Sequence, residues 1–285
     1  LQGLQLRARQ VVEGYVAGQH RSPYHGFSIE FAEHREYSPG DDLRYVDWKV
    51  FGKTDKVYLK QFEEETNLAC YLLLDSSESM RYQSADAPWT KLACAQCAAA
   101  SLAYLVLGHQ DSVGLATFDD QVRRLIRPSS NPAHLSTVLE QLENLTAAQK
   151  TSTGPIFHDL AERLRQRGIV VVLSDLFDDV PSMLSGLKHF RHRRHDVVVL
   201  HIMDPAEIDF PFRAVTKFKG FESLGDVLTE PHSLRTAYRN EVQRYLALVR
   251  SACRSQQIHY LLVRTDQPLG IVLSTFLAAR AARKN

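Results

Sequence analysis

The chain of 285 residues is 44% hydrophobic, enough for one large core or two modest ones. Its 34 Lys and Arg nearly cancel its 33 Asp and Glu, so no basic excess points to nucleic acid. The longest apolar stretch, around residues 92–107, contains Gln96 and reads as too short and too alanine-rich for a membrane span; no leader pattern opens the chain and the four cysteines are too few for a disulfide framework, so a cytoplasmic location is expected.

A helical pattern runs over about residues 4–17 and ends in a loop with His20, Pro23 and Gly26. Residues 27–66 hold short extended pieces, FSIEF and VYLKQFEEE, around the turn-rich REYSPGDDLRYVDWKVFGKTDK. There Asp41, Asp42, Arg44 and Asp47 surround the aromatic pair Tyr45 and Trp48. The bland reading is a loop packed on a sheet with Arg44 tied to a carboxylate. The functional reading is a docking surface, with Arg44, Asp47 and Trp48 as the partner-binding candidates, or a second polar site.

From residue 69 the pattern becomes strand, helix, strand. ACYLLLD (69–75) is a continuous apolar run, as in a strand buried on both faces. A helix follows at about 90–108, in which Cys94 and Cys97 read as small buried hydrophobes. SVGLATF (112–118) and VRRLI (122–126) are strands joined by a turn at Asp119 and Asp120. Helices are expected at 132–145 and 155–167, and GIVVVLSDL (168–176) is the strongest central strand. A helix at 181–191, the strand DVVVLHI (196–202) and a small hairpin insert at about 204–230 come next. A long helix (231–255), the strand IHYLLV (258–263) and a last helix (268–282) complete the order. This alternation predicts an α/β fold: a doubly wound, mostly parallel sheet, with the strand at 122–126 as one antiparallel edge. The expected division is a small helix and strand extension over 1–66 and an α/β domain over 67–285. KTDK with Lys60 and RHRRH (191–195) read as solvated faces, and metal binding by His192 and His195 is not expected.

Ligands of such sheets gather at the carboxyl ends of the strands. Two apolar runs stop there on an acid, Asp75 after YLLL and Asp175 after VVVLS. Neighbouring strands would bring these like charges together, which calls for a cation or a shared proton. No phosphate loop, dinucleotide fingerprint or nucleophile elbow occurs in the sequence. One enzyme reading is a phosphoaspartyl phosphatase, since the chain resembles the haloacid dehalogenase kind in a strand ending in Asp75 and an acidic SDLFDD holding Asp175, Asp178 and Asp179. That chemistry needs a second acid two residues after the nucleophile, and Ser77 stands there. The metal reading uses LLLDSSESM: Asp75, Ser77 and Ser79 on one loop, with Asp175 from another strand end, are hard oxygen donors suited to Mg²⁺, Mn²⁺ or Ca²⁺. The plain structural reading is that one of these residues caps the next helix.

LLLDSSESM followed by SDL resembles the metal-ion-dependent adhesion site of the von Willebrand factor A-type domain. That resemblance implies its Rossmann-like fold over about residues 67–285 and a metal site of Asp75, Ser77, Ser79, a threonine and Asp175. KTSTGPIFHDL is similar to the family's threonine loop, with Thr151 as the choice and Thr153 as the alternative. The resemblance implies that Ser77 and Ser79 touch the ion, that Asp75 holds its water shell, and that a partner's acidic side chain completes it. Upstream, GDDLRYVDW is similar to the core signature of the bacterial domain-of-unknown-function fifty-eight family, in Gly40, Asp41, Asp42, Arg44, Val46, Asp47 and Trp48. That likeness implies partnership with a MoxR-type AAA+ ATPase. Together the expectation is a non-enzymatic, Mg²⁺-dependent (or Mn²⁺- or Ca²⁺-dependent) protein-binding module, with the phosphatase as the alternative.

Overall fold

In the computed structural model, residues 2–19, 34–36, 57–60, 68–147, 153–214, 216–218, 227–229 and 231–281 are described. The chain divides into two compact units, residues 19–67 and residues 1–18 with 68–285. In the smaller unit β1 (His34–Glu36) pairs antiparallel with β2 (Tyr58–Lys60). FSIEF, Thr151, and the Arg44, Asp47 and Trp48 group lie outside the described residues.

The larger unit begins with helix α1 (Gln2–Gln19), all but its last residue, and is organised by a six-stranded sheet. Its strands are β3 (Ala69–Asp75), β4 (Ser112–Phe118), β5 (Val122–Ser129), β6 (Gly168–Ser174), β7 (Asp196–Met203) and β10 (His259–Arg264), in spatial order β10-β7-β6-β3-β4-β5. All neighbours are parallel except β4 and β5. A separate hairpin of β8 (Thr216–Phe218) and β9 (Val227–Thr229) forms within the expected insert. The remaining helices are α2 (Lys91–Gly108), α3 (His134–Glu143), α4 (Thr153–Arg163), α5 (Val180–His192), α6 (Pro205–Asp209), α7 (Pro231–Ser255) and α8 (Leu269–Ala281). The predicted α/β architecture, mostly parallel with one antiparallel edge, is the one observed.

Alternation along β3 shows why both faces must be covered. Cys70, Leu72 and Leu74 join one core with residues of α1, α2, α3 and α8. Ala69, Tyr71 and Leu73 point the other way and join a second core with α4, α5 and α7. Helix α2 is apolar and long enough to cross a membrane by length and composition, contrary to the expectation that it is too short. In this fold it is a core helix: Cys94, Ala95, Cys97, Ala98 and Ala99 are buried against the sheet.

Boundaries differ from the sequence reading in physically informative ways. β5 runs on to Ser129 through Pro128, because an edge strand tolerates a missing amide hydrogen, and its pairing with β4 shifts register twice. Helix α4 stops at Arg163, short of the expected 167; Leu164 drops into the core and the Tyr71 hydroxyl holds the Gln166 carbonyl at 3.1 Å. Helix α6 was not expected, although Asp204-Pro-Ala-Glu207 is a readable capping box, and both of its reciprocal bonds are present. His195, expected on a solvated face, is buried with its ring edge-on to Tyr71 and Phe190.

Helices α4 and α5 pack closely through glycine. A Cβ added at Gly186 would lie 2.6 Å from Phe157 Cβ and 2.9 Å from the Gly154 carbonyl oxygen. In an exposed helix Gly→Ala gains about 1 kcal/mol. Here the clash reverses the sign, so Gly186→Ala is expected to lower stability by about 1–3 kcal/mol in denaturant unfolding. A stabilised variant would show that the two helices separate freely.

Candidate functional site

The chain winds from β3 outward to β4 and β5, then returns to lay β6 on the other side of β3. The carboxyl ends of β3 and β6 therefore flank the switch point of the sheet, where ligands of open α/β sheets bind. Leu74 pairs with Leu173, so the next residues, Asp75 and Ser174, emerge side by side.

Asp75 is fully buried. Its Oδ1 accepts the Ser77 amide at 2.9 Å and its Oδ2 accepts the Ser174 hydroxyl at 2.6 Å. Ser77 and Ser79 are buried too, with their hydroxyl oxygens 3.1 Å apart. A short 3₁₀ turn (Glu78–Arg81) follows, and the Ser77 side chain does not cap it. Helix α2 is capped by Thr90 instead, so capping does not explain these serines. The Ser76 amide and hydroxyl both bond the Phe118 carbonyl, which ties the loop to the end of β4.

Asp175 continues β6 and is 5% exposed. Its Oδ1 accepts the Phe177 amide at 3.2 Å and its Oδ2 accepts Lys91 Nζ at 2.7 Å. Lys91, itself 1% exposed, also donates to Glu207 Oε1 at 2.6 Å. The other Glu207 oxygen accepts the Asp204 amide, and Asp204 accepts the Ala206 and Ser84 amides. One hydrogen-bonded line thus joins the loop after β3, the start of α2, the end of β6 and helix α6.

Electrostatics follow from this packing. Burial and the nearby Asp175 charge push the Asp75 carboxyl up to about 7. Burial also works against the Asp175 charge, but the Lys91 ammonium and hydrogen bonds from Lys91 and Ser79 hold that carboxyl below the usual range. Burial works against the Lys91 charge, and Asp175 and Glu207 together raise its affinity for the proton above normal. Asp75, Asp175 and Glu207 against Lys91 leave two formal negative charges when all are ionised, equal and opposite to one divalent ion.

Among the described residues no three His, Cys, Asp or Glu side chains gather as a metal cluster. The donors present are two carboxylates and two hydroxyls, a hard oxygen set that fits Mg²⁺, Mn²⁺ or Ca²⁺ and not a soft metal. Thr153, the alternative threonine, opens α4 with its amide and hydroxyl both on Asp178 Oδ2, at 2.5 and 2.7 Å. Asp179 caps α5 by accepting the Ser182 amide. Of the SDLFDD acids, then, Asp175 alone turns to Lys91 and the serine loop.

Sequence reasoning missed Lys91, Glu207, Ser174 and His201. Lys91 had a signal: a lysine in the first turn of a helix opposes the helix dipole and needs a partner elsewhere. His201 on β7 holds the Asp175 carbonyl through Nε2 at 2.8 Å and meets the Tyr260 hydroxyl through Nδ1 at 2.8 Å. Since a carbonyl only accepts, Nε2 carries the proton of a neutral ring. Leu176, with φ 53°, is the turning point of the loop; its amide bonds Ser174 and its carbonyl takes the Tyr245 hydroxyl. That backbone sends Leu176 into the core and leaves Phe177 64% exposed beside the site.

A family model described as Protein of unknown function DUF58 matches residues 33–247. Uncharacterized protein Mb1516 of Mycobacterium bovis and uncharacterized protein Rv1480 of Mycobacterium tuberculosis are each 25% identical over 285 residues, spanning 98% of this chain and 88% of the relative. An aerotolerance-related membrane protein from Bacteroides fragilis, bearing multiple mutations to serines, is similar at 17% identity and a TM-score of 0.50, over 74% of this chain and 99% of that one. Conserved hypothetical protein BatB from Bacteroides thetaiotaomicron shares 15% identity with a TM-score of 0.49 over 75% and 99% of the two chains. The VWA domain of SpRpn10 shares 15% with a TM-score of 0.39 over 72% and 93%. At these identities the likeness to the Bacteroides fragilis protein concerns fold alone.

Burial holds the proton affinity of His201 down to about 4, against 6.5 when solvated. Between those values the unfolded chain takes up a proton that the folded chain refuses, so stability falls as pH drops through the window. His201→Gln should remove on the order of 3 kcal/mol of the stability lost between pH 7 and pH 4, measured by urea unfolding at both. Asp75 binds its proton more tightly folded than unfolded and acts with the opposite sign, but it is common to both proteins. An unchanged pH dependence would mean that the buried imidazole charges in place.

Proposed function

Because the chain belongs to the DUF58 family, whose description leaves the function open, we propose from the site itself that it is a divalent-cation-dependent protein-binding module and not an enzyme. The observation that carries this reading is the pair Asp75 and Asp175 at adjacent strand ends, with the Ser77 and Ser79 hydroxyls beside them. Asp75 lacks a cationic partner of its own among the hydrogen bonds it makes, and its charge is disfavoured at neutral pH until one arrives. Asp75, Ser77, Ser79 and Asp175 would hold a Mg²⁺ or Mn²⁺ ion, with a threonine of the 151–153 loop as a further donor. The ion would supply a Lewis-acidic contact for a carboxylate offered by a partner protein. In this reading the partner is a MoxR-type AAA+ ATPase, a class that comes from the family resemblance and not from the site.

The phosphatase alternative is less well supported. Ser77 stands where the second acid belongs, and Asp178 and Asp179 are engaged with Thr153 and the start of α5. Among the described residues, the histidine that reaches this rim, His201, is turned onto the Asp175 carbonyl and so is not poised as a general base for Asp75.

Calorimetric titration with Mg²⁺ tests the proposal. Wild type should bind one ion, with a proton released from Asp75 near pH 7, and Asp75→Ala should lose the heat. Equal binding by both proteins would remove Asp75 from the site. For the partner, capture of the ATPase should require Ser77 and fail with chelator present; capture indifferent to both would separate recruitment from the ion.

A further inference from the structure

Lys91 is the unexpected member of the rim. It stands in the first helical turn of α2 with its ammonium shared between Asp175 at 2.7 Å and Glu207 at 2.6 Å. A lysine is almost never buried to this extent without such partners, and the helix N-terminus repels it. Its place is therefore defined by those two carboxylates.

We propose that Lys91 is a tethered counter-ion that competes with a divalent ion for Asp175, and that Glu207 is the resting partner to which the ammonium withdraws when the ion binds. The inference rests on Asp75, Ser77, Ser79 and Asp175 being a cation site. An ion drawing on Asp175 lies close to the ammonium and is repelled by it, while the same ammonium stabilises the Asp175 charge in the ion's absence. Glu207 provides an exit for that conflict, because it already holds Lys91. The exchange has a mechanical side. Glu207 also holds the Asp204 amide, and Asp204 holds the Ser84 amide in the loop that leads from the serines to α2. Lys91 and Glu207 thus act as positioning residues between the ion and the opening of the 204–230 insert, setting how tightly the site takes an ion without touching it.

Mn²⁺ alone is the probe, titrated by calorimetry and by its electron paramagnetic resonance signal into the full chain. Lys91→Met with Glu207→Gln removes one positive and one negative charge together and frees Asp175; this double variant should bind Mn²⁺ at least tenfold more tightly than wild type. Glu207→Gln alone removes the resting partner, leaves Lys91 on Asp175, and should weaken binding several-fold. Opposite shifts are not produced by a merely structural role. Unchanged or weaker binding by the folded double variant overturns the proposal, and if that variant does not fold, unchanged affinity in Glu207→Gln overturns it alone. Asp75→Ala separates the two readings. Binding by wild type that is lost in Asp75→Ala but equal in the double variant removes the role of Lys91 and keeps the cation site. Binding by the double variant and not by wild type upholds Lys91 as the competing cation and ends ion dependence in the native chain. Absence of binding in every protein removes both.

Discussion

Two carboxylates at neighbouring strand ends, both out of water, repel each other, and the surroundings of Asp75 and Asp175 are arranged around that repulsion. Each partner they make is a donor: the Ser77 amide and Ser174 hydroxyl on Asp75, the Phe177 amide and Lys91 ammonium on Asp175. The relief is unequal. Asp175 has a full positive charge and stays ionised, whereas Asp75 has dipoles only and its proton affinity rises. The unrelieved part of the repulsion thereby sits on the side of Asp75 and the two serines, where a bound proton or a cation would relieve it.

The fold places this conflict where strand order reverses. Parallel strands need long crossovers, and those crossovers put α2 on one face and α4 and α5 on the other. The rim is consequently assembled from segments far apart in sequence, and Lys91 to Asp175 spans 84 positions while Ser84 to Asp204 spans 120. Rigid strands beneath, several of whose side chains are wholly buried, hold these long-range bonds to fixed distances. His201 contributes from β7 by steadying the Asp175 backbone, as a neutral donor that adds no charge to a crowded place.

Much of this was legible in the sequence. The strand runs 69–75, 112–118, 168–176 and 196–202 carried enough β-branched and apolar residues to fix the parallel core, and the acids that end two of them marked the rim. Ser77 is what the sequence offers against acid–base chemistry at Asp75, because a hydroxyl stands where a second acid is needed. Tertiary partners were harder to read. Glu207 lies 116 positions from Lys91, and no local periodicity links a helix start to a capping box so distant. His195 and His201 look alike in sequence, and both are buried beside aromatic rings; what separates them is place along the sheet, His195 just before β7 and His201 near its carboxyl end, within reach of the Asp175 carbonyl. β5 ran beyond its expected end because a proline terminates a strand only where its missing hydrogen is needed.

That same strand bears on how the molecule behaves at high concentration. β5 is the outermost strand on its side of the sheet, and an outermost strand normally templates another chain. Here Pro128 offers no donor, two register shifts bend the ladder, and Arg123, Arg124 and Arg127 line the exposed positions. An incoming strand would meet a broken row of hydrogen-bond partners and long charged side chains, of which Arg123 is paired with Asp119 and Asp120. Fibril-like stacking is therefore discouraged along this edge by the one strand that runs against the others.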